Sequence, residues 1–99
     1  MAICKTASYR VQPASLRSAK AAIRKFVSHV RASEPGTLFY AALQDKADPT
    51  RFLHVMVFRN KAAEDRHASS GAMKRFTGFL YPKTAGGVWF TDYVRVASK

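Results

Sequence analysis

The chain divides into strands and helices where the spacing of its apolar residues changes. Four short apolar segments have the composition of strands. They cover residues 2–11, 37–44, 51–59 and 88–96. Between the first two, apolar residues recur every three or four positions, which predicts one face of a helix that ends before Pro35-Gly36. Those residues are Leu16, Ala19, Ile23, Phe26 and Val30.

Two shorter helical segments separate the last two strands. The first begins near Asn60, whose side chain can cap it, and is interrupted at residues 69–71. The second covers residues 72–81, and Pro82 with Gly86-Gly87 closes that region. The order β-α-β-β-α-β predicts a ferredoxin-like α+β fold, in which helices cover one face of a four-stranded antiparallel sheet. We expect residues 1–99 to form a single domain.

The third strand is apolar on both of its faces. Side chains alternate between the faces of a strand, which separates Phe52, His54, Met56 and Phe58 from Leu53, Val55 and Val57. The second strand sets Leu38, Tyr40 and Ala42 against Phe39, Ala41 and Leu43. An apolar side chain left in water forgoes roughly 1.5–3 kcal/mol. We therefore predict a homodimer, in which a second copy of the chain covers the face that the helices leave open.

The charge of the chain is strongly positive, with 17 Lys and Arg against 6 Asp and Glu, a net charge of +11. Residues 1–33 contain no acidic residue, a composition that an organelle transit peptide shares, but they also hold the first strand and the longest helix. A solvated basic surface is the ordinary interpretation, and attraction of an acidic ligand or of nucleic acid is the functional one.

The sequence contains one cysteine, Cys4, and no apolar run long enough to cross a membrane. No intrachain disulfide can form, and the N-terminus does not resemble a signal peptide. We expect a cytoplasmic protein that does not associate with membranes.

His67 is the strongest candidate for chemistry. Helical spacing places it on one face with Ala63 and Ser70, towards the sheet, where we expect few polar neighbours. Its unperturbed pKa suits a general base or a donor that anchors a ligand oxygen, and the structural alternative is a histidine hydrogen-bonded within the core. His54, in mid-strand, is expected at a pocket wall or at the dimer seam. The histidines lack the spacing of a metal site, so we predict no metal.

Aromatic residues are abundant, and most of them belong to the core. Ligand pockets are mainly apolar with few polar groups. The candidates for substrate binding are Tyr40, His54, Phe58, Phe76 and Trp89.

Several segments in order resemble the antibiotic biosynthesis monooxygenase family. They are Glu34-Pro35-Gly36-Thr37-Leu38-Phe39-Tyr40, then Asp48-Pro49-Thr50-Arg51-Phe52, then Phe58 with His67 nine residues later, then Ser70 and Phe76. The resemblance implies a dimeric α+β barrel, in which two ferredoxin-like sheets pack face to face. It also implies a cofactor-independent monooxygenase of small phenols or quinols that uses O2. By this resemblance His67 is the base, and Phe58 and Phe76 form pocket walls.

The chain departs from that family at three positions. Many relatives carry Glu at the position of Met56, Trp at that of Phe58, and a second histidine at that of Ala72. Haem-degrading relatives need an asparagine on the first strand and a histidine on the later helix; both are missing here, which argues against haem degradation.

Two other functions remain open at this point. The first is a non-catalytic ligand-binding or stress-related dimer of the same fold, which the changes at Met56 and Phe58 favour. The second is nucleic-acid binding, because RNA-recognition domains share the β-α-β-β-α-β order. Leu53 and Val55 stand where such a domain needs aromatic residues, which argues against it.

Overall fold

A computed structural model describes residues 2–99 of the chain. Its helices and strands follow in the order β1 (Ile3–Val11), α1 (Leu16–Ser33), β2 (Thr37–Gln44), β3 (Arg51–Phe58), α2 (Lys61–Ser69), α3 (Gly71–Leu80) and β4 (Thr84–Tyr93). Short 3-10 turns precede α1 and β4. The strands form one antiparallel sheet in the order β2-β3-β1-β4. The predicted ferredoxin-like arrangement is confirmed, with the second helical region divided into two helices.

Side-chain caps explain where the two short helices begin. The Asn60 side chain accepts a hydrogen bond from the Ala63 backbone N–H at 3.0 Å, so it caps α2 as predicted. Ser70 ends α2 and also caps α3, because its hydroxyl oxygen accepts from the Met73 N–H at 3.0 Å. The polar interruption at residues 69–71 is therefore the boundary between two helices that can take different directions.

The last strand differs from the predicted residues 88–96. It begins at Thr84, so Gly86 and Gly87 lie inside it instead of before it. Their φ angles are 90° and 83°, a region that glycine adopts without strain. The pairing of β1 with β4 shifts register at the same place, which identifies an irregularity of the β-bulge type. The pattern of apolar residues could not reveal a strand that continues through two glycines.

The sheet has one face covered by the helices and one open face. On β3 the predicted alternation is confirmed: Phe52, His54, Met56 and Phe58 are buried, whereas Leu53, Val55 and Val57 are not. The prediction that Leu38 shares one face of β2 with Tyr40 and Ala42 is wrong. The register of β2 against β3 shifts between Thr37 and Phe39, and Leu38 is 53% exposed. Among the described residues, no helix is long and apolar enough to cross a membrane.

Candidate functional site

A cavity of about 240 Å³ lies between the covered face of the sheet and helices α2 and α3. Its lining is mainly apolar and includes Met56, Phe58, Phe76, Leu80 and Val88. Eight polar side chains interrupt this lining, namely Lys5, Tyr9, Tyr40, His54, Glu64, His67, Thr77 and Tyr81. A mainly apolar hollow with polar groups at particular places is the usual form of a small-ligand site.

His67 forms a buried pair with a carboxylate from another element. Its Nδ1 lies 2.8 Å from Oε1 of Glu34, the residue that directly follows α1. The two side chains are only 5% and 11% exposed. The Thr37 hydroxyl donates to the same Oε1 at 2.8 Å, so this oxygen acts as an acceptor. The hydrogen between His67 and Glu34 therefore belongs to Nδ1, which fixes the orientation of the imidazole ring.

The second ring nitrogen of His67, Nε2, is the one that can exchange a proton. Among residues 2–99 it has no hydrogen-bond partner, and the only fully buried side-chain nitrogen or oxygen without one is Glu34 Oε2. Nε2 is therefore not completely enclosed by protein atoms, and His67 lines the cavity. A nitrogen lone pair at an apolar cavity, with a carboxylate behind the ring, is the arrangement that general-base catalysis uses.

Three aromatic rings surround His67 and restrict its movement. The ring centroids of Phe58, Phe26 and Tyr40 lie 5.1, 5.6 and 5.7 Å from that of His67. Phe76 stacks on Phe26 with a centroid distance of 4.5 Å, and so extends the same wall. The histidine is thus held by packing as well as by its hydrogen bond.

His54 joins two tyrosines across three strands. Its Nε2 lies 2.7 Å from the Tyr9 hydroxyl on β1, and its Nδ1 lies 2.6 Å from the Tyr40 hydroxyl on β2. The imidazole is 1% exposed. The register explains the contact, because His54 pairs with Ala7 on one side and Ala42 on the other, and each tyrosine is two residues away on the same face.

Burial keeps this group of three side chains neutral. Desolvation, with a smaller effect from His67, lowers the pKa of His54 to about 4. Burial also raises the pKa of both Tyr9 and Tyr40 above the ordinary tyrosine value. The three groups can therefore exchange hydrogen bonds near neutral pH without carrying a charge.

An ion pair occupies the edge of the cavity. Lys5 Nζ lies 2.7 Å from Glu64 Oε2, and that hydrogen bond raises the pKa of Lys5 and lowers the pKa of Glu64. Lys61 also contacts Glu64, at 3.1 Å. The carboxylate is thus already paired with two cations. Because both ring nitrogens of His54 are bonded, His67 is the cavity histidine with a free ring nitrogen.

The structure brings most of the predicted site residues together. Tyr40, His54, Phe58 and Phe76 all line the same cavity as His67. Trp89 does not: it pairs with Ser8 on the open face of the sheet, is 71% exposed, and lines a different groove. Its neighbours Val88 and Phe90 face the cavity instead.

Sequence reasoning missed two polar residues of the site, Glu34 and Tyr9. His67 does have few polar neighbours, but the one that hydrogen-bonds to it, Glu34, was not identified from the sequence. Glu34 was visible as the acid beside Pro35-Gly36 at the end of the long helix, a position that the turn directs back towards the sheet. Tyr9 carried no signal, since its contact depends on strand register.

Comparisons with known proteins place this fold in a family. The family profile described as antibiotic biosynthesis monooxygenase matches residues 2–78. Among solved structures, a Caulobacter crescentus protein named for the same family is 22% identical, with a TM-score of 0.90 over 97% of this chain and 91% of that one. A Pseudomonas aeruginosa protein is 24% identical, with a TM-score of 0.86 over 97% and 95%.

A third similar structure, from Mycobacterium tuberculosis, is 14% identical, with a TM-score of 0.90 over 99% of this chain and 98% of that one. At these identities the likeness establishes the fold. A search among curated proteins gave no match.

Proposed function

The chain belongs to the antibiotic biosynthesis monooxygenase family, and we propose that it oxidises a small phenol or quinol with O2 and without a bound cofactor. One observation carries the proposal: His67, backed by Glu34, lines an apolar cavity and has its Nε2 free. This gives a base that is oriented in advance, in a place where a deprotonated aromatic substrate is poorly solvated.

In the first step His67 Nε2 takes the hydroxyl proton of the substrate. The imidazolium that forms is stabilised by the Glu34 carboxylate at 2.8 Å. The phenolate is left in an apolar cavity, where the loss of its hydration makes it a better electron donor.

In the second step the phenolate gives one electron to O2, and the resulting pair of radicals combines at a ring carbon. The peroxide that forms loses water and leaves a quinone. One phenol and one O2 thus give one quinone and one water, so atoms and electrons balance without a further reductant. The protein contributes deprotonation, exclusion of water and orientation.

The aromatic walls supply that orientation. Phe58 and Phe76 are 1% and 8% exposed, and both line the cavity. Their rings can stack on an aromatic substrate in offset or edge-to-face geometry. We propose that they hold the substrate ring with its hydroxyl towards His67.

The direct test is oxygen consumption with a panel of phenols and hydroquinones. We expect His67→Ala to lower turnover by about 10²-fold or more, the contribution that a general base typically makes. His29→Ala is the matched control, since this histidine on α1 lies outside the cavity and should leave the rate unchanged. Undiminished turnover in His67→Ala, or a folded protein that consumes no oxygen with any substrate, would contradict the proposal.

We also propose that two copies of the chain pair through the open face of the sheet. This face carries large apolar side chains in water: Phe39, Leu43, Leu53 and Trp89 are 52%, 51%, 38% and 71% exposed. A contiguous apolar patch of this kind usually marks an interface. A second copy of the same sheet would bury the patch and match it in shape.

A second candidate function is ligand binding without turnover. It is favoured by Met56 and Phe58, which both line the cavity with apolar side chains where many relatives carry Glu and Trp. Thermal-shift screening separates the two functions, because ligands that stabilise the protein and are recovered unchanged in air support binding alone.

A further inference from the structure

The Tyr9, His54 and Tyr40 side chains have more hydrogen-bond donors than their mutual hydrogen bonds use. A neutral imidazole has one N–H and each tyrosine has one O–H, which makes three donors. The two contacts, at 2.7 and 2.6 Å, each use one hydrogen. One hydrogen is left over, and neither hydroxyl has another partner among the described residues.

The position of the remaining hydrogen depends on the imidazole tautomer. If Tyr9 donates to Nε2, then Nδ1–H donates to the Tyr40 oxygen, and the Tyr40 O–H is free. If Tyr40 donates to Nδ1, then Nε2–H donates to Tyr9, and the Tyr9 O–H is free. In both arrangements the free donor is a tyrosine hydroxyl at the cavity, because both tyrosines line it.

We infer that the Tyr9–His54–Tyr40 group is a binding site for a second oxygen of the ligand, a carbonyl or phenolate oxygen that accepts this hydrogen bond. The inference rests on the proposed function, in which His67 engages the first oxygen. It adds a requirement: the preferred ligand carries two oxygens, one for each site.

The chemistry of the two sites differs in a useful way. In the proposed function His67, bonded to Glu34, takes the substrate proton, whereas the group around His54 stays neutral and offers only a hydrogen bond. A fixed neutral donor in an apolar cavity stabilises negative charge that spreads to the second oxygen, without transferring a proton to it. Both tyrosines and His54 are positioned by neighbouring strands, so the donor needs little reorganisation.

The test compares two ligands in the absence of oxygen, so that binding is measured without turnover. The probes are 1,4-dihydroxynaphthalene, which has two oxygens, and 1-naphthol, which has one, with affinities from isothermal titration calorimetry. Only one of the two hydroxyls is free in each tautomer, so we expect one of the variants Tyr9→Phe and Tyr40→Phe to weaken the two-oxygen ligand about tenfold, the usual effect of a lost hydrogen bond. The one-oxygen ligand should change less than about twofold.

Tyr93→Phe serves as the matched control, because Tyr93 lies on the open face, is 55% exposed and makes no side-chain hydrogen bond among the described residues. It should leave both affinities unchanged. The inference is overturned if any loss of affinity is equal for the two ligands, or if neither tyrosine variant weakens the two-oxygen ligand.

A second measurement on the unaltered protein does not depend on how the variants fold. Nitrogen-15 NMR of the imidazole reports which ring nitrogen of His54 carries the hydrogen. We expect the two-oxygen ligand to fix one tautomer, and 1-naphthol to leave the tautomer mixture as it is. A tautomer ratio that the two-oxygen ligand does not move overturns the inference, since a purely structural role predicts that result.

Failure of the inference can be told apart from failure of the proposed function. If the protein consumes oxygen but the tyrosine variants do not change the ratio of the two ligand affinities, the second site is refuted and the proposed oxidation stands. If a tyrosine variant binds only the two-oxygen ligand more weakly but the protein consumes no oxygen with any substrate, the oxidation is refuted and the second site stands.

Discussion

Mild acid should destabilise this protein through His54. The imidazole is 1% exposed and bonded on both ring nitrogens, and burial lowers its pKa from 6.5 to about 4. In the unfolded chain the same side chain is in water, where it takes up a proton near its ordinary pKa. The folded and unfolded chains therefore differ by one proton over this range of pH.

The sign of the effect follows from that difference. As the pH falls from 6.5 to 4, His54 binds a proton in the unfolded chain but stays unprotonated in the folded chain, so the free energy of unfolding decreases. Each pH unit removes at most about 1.4 kcal/mol, which amounts to about 2 kcal/mol by pH 5 and about 3 kcal/mol by pH 4. For a chain of this length, the loss at pH 5 corresponds to a Tm lower by about 10 °C.

The assay is urea unfolding followed by circular dichroism at a fixed protein concentration, at pH 7, 6 and 5. The matched variant is His54→Gln, which keeps a hydrogen-bonding side chain but does not titrate. We expect the loss of stability between pH 7 and 5 to be smaller in the variant by about 2 kcal/mol. Carboxylates such as Glu64 contribute equally to both proteins, so the difference isolates His54.

Two results would refute this reasoning. One is an equal loss of stability in the unaltered protein and in His54→Gln. The other is an NMR titration of the unaltered protein in which His54 protonates near pH 6.5 while the chain stays folded. That result would mean that the tyrosine oxygens stabilise the charged imidazolium by accepting its N–H hydrogen bonds.

Three further predictions concern other parts of the structure. Gly36→Ala should lower the free energy of unfolding by about 1–3 kcal/mol, since the new Cβ would lie 2.6 Å from the Cβ of Ala63 on α2. Gly78→Ala, whose new Cβ would have no atom within 4 Å, should raise the free energy of unfolding by about 0.5–1 kcal/mol. Urea unfolding measures both effects. Leu53→Glu, on the open face, should give a monomer by light scattering whereas the loop variant Lys46→Glu stays dimeric; an unchanged dimer would place the interface elsewhere. Glu34→Gln keeps the shape of the His67 partner without its charge, so turnover should fall about 10²-fold with ligand affinity retained, and an unchanged kcat would limit Glu34 to a structural role.

The sequence predicts the elements of this fold better than the contacts of its site. Local spacing was enough for β2 and for the Asn60 cap, because both depend on neighbours along the chain. His67 and Glu34 are 33 residues apart, and Tyr9 and His54 are 45 apart, so their contacts arise only from helix packing and strand register.

Trp89 illustrates the same limit on the last strand. Two aromatic residues, Trp89 and Phe90, stand side by side, and alternation sends them to opposite faces. Nothing local decides which of the two faces the helices. Pairing with β1 decides it, and that pairing is displaced by the irregularity at the two glycines.

Strand β3 connects the site with the proposed dimer, because neighbouring residues serve the two faces. His54 and Met56 face the cavity, and Leu53 and Val55 face the open side. The hydrogen bonds of His54 reach both adjacent strands, so they depend on the spacing of β2, β3 and β1. A second copy on the open face would restrain those same strands. Loss of the dimer should therefore loosen the site around His54 even though no cavity side chain changes.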